Sequence, residues 1–146
     1  MLESGLELQS GEILPWGATA KELLSIGNPQ HIAKNTRYDI WWPEQILLQG
    51  LSASVKITLQ TYQRALEFEL HCRQTSDIDA QGTYQRVATH LDKIGDRSSR
   101  EGSIKIEPLG NTLSGSWDIG QTIAEMYLFD RFGWICDLRI KTRLGT

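Results

Sequence analysis

Little in this chain of 146 residues is concentrated enough to announce a chemistry. It has three histidines, His31, His71 and His90, none with another histidine or a cysteine at ligand spacing, so no zinc-type site is written into it. His71 and Cys72 are adjacent in a strand pattern and leave on opposite faces, which prevents them from sharing an ion. Cysteines number two, Cys72 and Cys136, each inside an alternating apolar segment where a free thiol packs as a small hydrophobe. A disulfide between them is the alternative. The first residues, Met1 to Leu6, lack the basic head and apolar stretch of a secretory signal, which argues for a reducing, cytoplasmic setting and so for free thiols. No apolar run is long enough to span a bilayer.

Basic charge is not in excess either. Fifteen Lys and Arg against eighteen Asp and Glu leave a formal charge of −3. Arg97, Arg100 and Lys105 are interleaved with Asp96, Glu101 and Glu107, which argues against the basic stripe that phosphate binding needs. Gly110, Gly115 and Gly120 are too spread to cradle a phosphate, and Ser114, Gly115 and Ser116 lack the nucleophile-elbow spacing. The sequence therefore offers no catalytic, cofactor or metal set.

What is present is architecture. Hydrophobic residues make up 40% and charged residues 23%, as in an ordinary globular domain, and the length suits a single domain, 1–146. Thr19 followed by Glu22 is a capping box that starts a short helix with Ala20, Leu23, Leu24 and Ile26 on its apolar side. Gly27 supplies its left-handed end and Pro29 forbids continuation. Ahead of it, Gly5 to Leu14 reads as one strand or as two short ones bent at Ser10 and Gly11, and Pro15, Trp16 and Gly17 turn the chain.

Gln30 to Thr36 is polar and reads as a loop. Arg37 to Trp42 is a strand stopped by Pro43, with Tyr38, Ile40 and Trp42 on one face and Trp41 on the other. Ile46 to Leu48 and Ala53 to Gln60 are further strands, the second with one wet face. Arg64 to Cys72 alternates cleanly, Arg73 to Gly82 reads as a polar loop, and Thr83 caps a second helix striped by Tyr84, Val87, Ala88, Leu91 and Ile94 and closed by Gly95. Ser103 to Glu107, Leu113 to Ile119, Gln121 to Phe129 and Trp134 to Lys141 complete the strands, with turns at Pro108 to Asn111 and Asp130 to Gly133. Gln121 to Phe129, apolar on both faces, reads as a strand covered on both sides. The expected fold is α+β: a mainly antiparallel sheet with two helices packed on one face. Two tandem β-α-β-β-β units, 5–62 and 64–141, overlay loosely, as a duplication would and as any two such units with shared turns would.

The run from Leu14 to Gly17, the short capped helix and Ile26 to Pro29 resemble the αβ repeat of the beta-lactamase-inhibitor-protein type. Tyr127 to Ile140 resembles the closing hairpin of such repeats. The chain is also similar to the small cytoplasmic immunity proteins of bacterial toxin–immunity pairs, such as those of contact-dependent growth inhibition. Those resemblances imply a non-enzymatic inhibitor that covers the active site of a cognate toxin, a basic protein, with no cofactor. A monomer or weak dimer is expected, with neither nucleic acid nor membrane as partner. Candidate partner-binding residues are the acids Asp77, Asp79, Asp92 and Asp96, which could face a basic surface, and Trp41, which stands apart from its neighbours' face. Paired acids can also serve as acid and base or hold a divalent ion, but acids before a helix more simply complement its dipole. Two other readings stay open. One is a small-ligand-binding protein or enzyme with a pocket between sheet and helices, lined by Tyr38, Trp42, Tyr84 or Trp117. The other is an adaptor or chaperone for a secreted effector.

Overall fold

The computed structural model describes residues 2–48, 50–74, 77–97, 102–106, 110–130 and 134–143. In chain order the elements are β1 (Gly5–Glu7), β2 (Ile13–Pro15), α1 (Ala20–Leu24), β3 (Gln30–Lys34), β4 (Arg37–Leu47), β5 (Leu51–Gln60), β6 (Glu67–Gln74), α2 (Asp77–Ile94), β7 (Asp96–Arg97), β8 (Gly102–Ile106), β9 (Gly110–Ile119), β10 (Thr122–Asp130) and β11 (Trp134–Thr142). The fold is α+β. Nine strands form one antiparallel sheet in the order β3-β4-β5-β6-β11-β10-β9, with β7 and β8 both pairing the far side of β9.

Alternation decides which face is buried. Ile40, Trp42, Val55, Phe68, Leu70, Met126, Leu138 and Ile140 point inward from their strands and are essentially inaccessible to solvent. α2 covers the β6, β11, β10 and β9 part of this face, while α1 lies against β4. The β1–β2 hairpin completes the cover. Its loop is pinned to β4 by Gln9, whose N–H donates to Gln45 Oε1 (3.1 Å) and whose Oε1 accepts from Ile46 N–H (3.2 Å). Trp16 packs on Phe68 with ring centroids 5.4 Å apart, and its Nε1 donates to the Leu2 carbonyl, which also accepts from Thr122 on β10. The segment before α1 is thus a strap across the inner face, and each large apolar side chain it buries contributes about 1.5–3 kcal/mol.

α1 forms as its sequence requires. Thr19 Oγ1 accepts from Glu22 N–H, and Glu22 Oε1 accepts from Thr19 N–H, both at 3.2 Å. Gly27 takes φ +68°, and a Cβ there would strike the Leu8 side chain at 2.6 Å, so only glycine lets the chain leave the helix under the strap.

Four expectations need correcting. Gln30–Lys34 is a strand, β3, joined to β4 by a tight turn in which Asn35 takes φ +58°. All five of its residues are exposed, so no alternation marked it. β4 does not stop at Pro43. It continues to Leu47 through a bulge at Pro43 and Glu44, visible as a register shift between Trp42 and Gln45. Trp42 and Leu47 are an odd number of residues apart and could not share a face in a regular strand; the bulge lets both point inward. The second helix begins at Asp77, not Thr83, because Ala80 extends the buried stripe one turn earlier and the chain tolerates Gly82 in a helix interior. Finally, among the described residues β10 is covered on one side only. Ile123, Glu125 and Tyr127 are half-buried by neighbouring side chains on the opposite, uncovered face.

Other readings held. The stretch from Gly5 is two short strands, Gly95 N–H closes α2 onto Leu91 C=O (2.9 Å), and both cysteines are buried thiols not joined in a disulfide. The turns expected at Pro108 and at Arg131 to Gly133 fall largely outside the described residues.

Candidate binding face

The uncovered side of the sheet is built from the outward residues of the same alternating strands. Registry sets them in rows. Trp41 lies opposite Lys56, Lys56 opposite Glu69, Glu69 opposite Arg139, Arg139 opposite Glu125, and Glu125 opposite Ser116. The charges in that row alternate, which is the favourable cross-strand arrangement. In the next row Ser54, His71, Asp137, Tyr127 and Ser114 follow one another across five strands. A third row holds Glu67, Lys141, Ile123 and Asp118.

These side chains are held in place. Glu125 is the best-tethered: Lys141 Nζ lies 2.5 Å from its Oε1, and Tyr127 Oη donates to its Oε2 at 3.1 Å. The lysine's hydrogen bond, followed by the tyrosine's, holds the Glu125 carboxyl below the usual carboxylate range against the opposing effect of burial. Burial, and then the Glu125 charge, pushes the Tyr127 phenol up; Glu125 pushes the Lys141 ammonium up as well. At the β4 end the Thr58 hydroxyl donates to Asp39 Oδ1 (2.7 Å) and, with Arg37 nearby, keeps that carboxyl low. Arg143 pairs with Asp118 at the other end. The result is a pre-ordered polar surface in which Trp41 is a half-buried aromatic.

Between β5 and β6 the sheet splits. Their ladder ends at Lys56–Glu69, although β5 continues to Gln60 and β6 begins at Glu67. The gap is a cleft of about 550 Å³ lined by Lys56, Thr58, Gln63, Arg64, Glu67 and Glu69 among others. It opens beside the Trp41–Lys56 row.

One cluster has the look of catalysis. Ser54, His71 and Asp137 stand in the order of an acyl-transfer triad, with His71 Nδ1 2.6 Å from Asp137 Oδ1. Among the described residues no hydrogen bond joins Ser54 to His71. The N–H groups beside Ser54 belong to a ladder, not to a turn that could aim two of them at one oxyanion. His71 and Asp137 are respectively 55% and 36% exposed at their side chains, so water would screen any developing charge. The Asp137 carboxylate orients the His71 imidazole on the surface. Among the described residues, no three His, Cys, Asp or Glu are placed to hold a metal ion, and no helix is long and apolar enough to cross a membrane.

The residues singled out in the sequence do not converge. Trp41 is on the uncovered face. Asp79 lies exposed on the first turn of α2, in the opposite layer; Asp77 heads that helix, its side chain outside what the structure describes. Asp92 is engaged internally: it accepts from Arg97 Nε (3.1 Å) and Nη2 (2.8 Å) and from Trp117 Nε1 (2.7 Å). Asp96 sits on the edge strand β7. Trp42, Tyr84 and Trp117, considered as pocket lining, are fully buried core residues. What the sequence did not reveal is the row structure itself. His71 and Asp137 were both legible as outward residues of alternating strands, but their meeting depends on the β6–β11 pairing. Compared with known proteins, the chain matches no family model, no curated protein and no solved structure.

Proposed function

We propose that this protein is a non-enzymatic binding module whose bare sheet face docks on a basic protein partner, as an immunity protein would cover the active site of a cognate bacterial toxin. The observation that carries the reading is the asymmetry of the sheet, one face covered by helices and strap, the other, among the described residues, uncovered and pre-ordered. On that face the acids Asp39, Glu67, Glu69, Asp96, Asp118, Glu125 and Asp137 exceed the bases Lys34, Arg37, Lys56, Arg139, Lys141 and Arg143 by one, in a chain of net charge −3. A rigid surface loses little side-chain freedom on docking, and a half-buried Trp41 offers an anchor. Acidic complementarity speeds encounter with a basic enzyme and weakens as salt rises.

The test is co-purification of the tagged protein with the product of the neighbouring gene, followed by measured affinity. Trp41→Ala is expected to weaken the complex about 10-fold or more, and Glu69→Lys with Glu125→Lys to slow association and flatten its salt dependence. A neighbouring product that fails to bind, or a complex indifferent to all three substitutions, removes this reading. Ester hydrolysis abolished by Ser54→Ala would replace it with an enzymatic one.

A further inference from the structure

On the covered side, the strap and α2 do not close completely over the end of β4. A cleft of about 410 Å³ lies there. β1 and the residue after it contribute Leu6 and Leu8, the end of β4 and the residue after it contribute Ile46 and Leu48, and α2 contributes Ile94 and His90. Its one carboxylate is Glu7. Ile46 is 54% exposed, a large aliphatic side chain left in water at the rim. Leu48 takes φ +46°, a conformation a bulky residue rarely adopts, and it adopts it where it lines this cleft. A second cleft, of about 490 Å³, runs along α2 and is lined by Gln85, Arg86, Thr89, His90 and Lys93. His90 lines both, so an aliphatic trough adjoins a helix face that carries Arg86, His90 and Lys93 at positions i, i+4 and i+7, and the second cleft has no acid among its lining residues.

We propose that these joined clefts bind a single-chain amphiphile with an anionic head, an alkyl carboxylate, with its chain in the trough and its carboxylate held by Arg86 and Lys93 beside His90. The lining selects the class. An extended peptide would press unpaired amides against leucines and isoleucines, at a cost in free energy. A cationic amphiphile would meet the cationic Arg86 and Lys93. An alkyl chain satisfies the trough by leaving water, and a guanidinium receives a carboxylate through two parallel hydrogen bonds. Burial and the neighbouring Lys93 hold the His90 imidazole below its ordinary range, so at neutral pH it is uncharged at the junction and can face both environments.

Calorimetric titration of the full chain with dodecanoate, kept below its micelle concentration, tests the proposal. One saturable site of micromolar affinity is expected, at least 10-fold weaker for hexanoate and at least 10-fold weaker in the Arg86→Glu, Lys93→Glu double variant. Ile46→Asp, at an exposed position that spares the fold, should weaken it similarly, with circular dichroism checking that each variant is folded. Dodecyltrimethylammonium, with the same chain and the opposite head, should show no saturable site. Absence of saturable dodecanoate binding overturns the proposal, as does equal affinity for the two heads, or wild-type affinity in the folded double variant. Binding to anionic vesicles without binding to monomeric dodecanoate would also overturn it, making the face a membrane-docking surface.

Discussion

Asp92 shows why charge counting along the sequence misjudges a residue. Read linearly it is a helix acid free to meet a partner; in the fold it receives Arg97 and the indole of Trp117, while Arg97 also lies over the Trp117 ring, 5.1 Å from its centroid. Removing it leaves the buried indole N–H without this acceptor and takes the Asp92 carboxylate away from Arg97. Asp92→Ala is therefore expected to lose about 1–3 kcal/mol in denaturant unfolding, and Asp92→Asn less. The cysteines illustrate the opposite case, in which burial alone settles behaviour. Cys72 and Cys136 face each other across β6 and β11, and burial, aided by Cys72 and Asp137, pushes the Cys136 thiol up to about 12. Since the thiolate is the reactive form, a thiol reagent at pH 8 should label neither residue in the native protein within the time in which it labels both in denaturant. Prompt native labelling would mean that the β6–β11 pair opens readily.

The elements differ in how openly their residues declare them. α1 could be read from Thr19, Glu22 and Gly27 because capping is a local chemistry. β5 could be read because Val55, Ile57 and Leu59 answer to one covered face. β3 could not, since a strand exposed on both sides owes its existence to hydrogen bonds with β4, not to any pattern of its own. The first turns of α2 were hidden by Gly82, which carries the composition of a loop into the middle of a helix. A Cβ at Gly82 would meet nothing within 4 Å, so Gly82→Ala should stabilise the protein by about 0.5–1 kcal/mol, seen as a higher unfolding midpoint. The candidate face was legible residue by residue and not as a surface, because its rows need pairings between strands far apart in sequence. One cross-strand set there makes a prediction about pH. The Glu125 carboxyl sits below its ordinary value of 4.5 in the fold, so the folded state favours its charged form. That stabilisation is fully present above 4.5 and is lost as pH falls through the lower folded value. Stability measured from pH 6 to pH 2 should therefore fall less steeply in Glu125→Gln than in the natural protein; equal slopes would exclude the Lys141–Glu125–Tyr127 set as a source of acid sensitivity.

For the molecule as a whole, a wide antiparallel sheet brings a problem of its margins as well as a surface. β9 is shielded along its outer side by β7 and β8, but β3 presents a free edge with Ile32 60% exposed. An open edge bearing an aliphatic side chain is a template for pairing with other chains. Ile32→Lys is expected to slow aggregation on warming, followed by light scattering, while changing stability by no more than about 0.5 kcal/mol. The other margin is one of time. β6 lies between β5 and β11, yet only three residue pairs tie it to β5, and its longer partner is the last strand in the chain. A ribosome adding about 5–20 residues per second leaves β6 waiting on the order of several seconds for β11. During that interval Phe68 and Leu70 have half a sheet to lie on. The nascent chain at that stage is the form a cellular chaperone would recognise, and the speed of translation between the two strands becomes a determinant of how much protein is made whole.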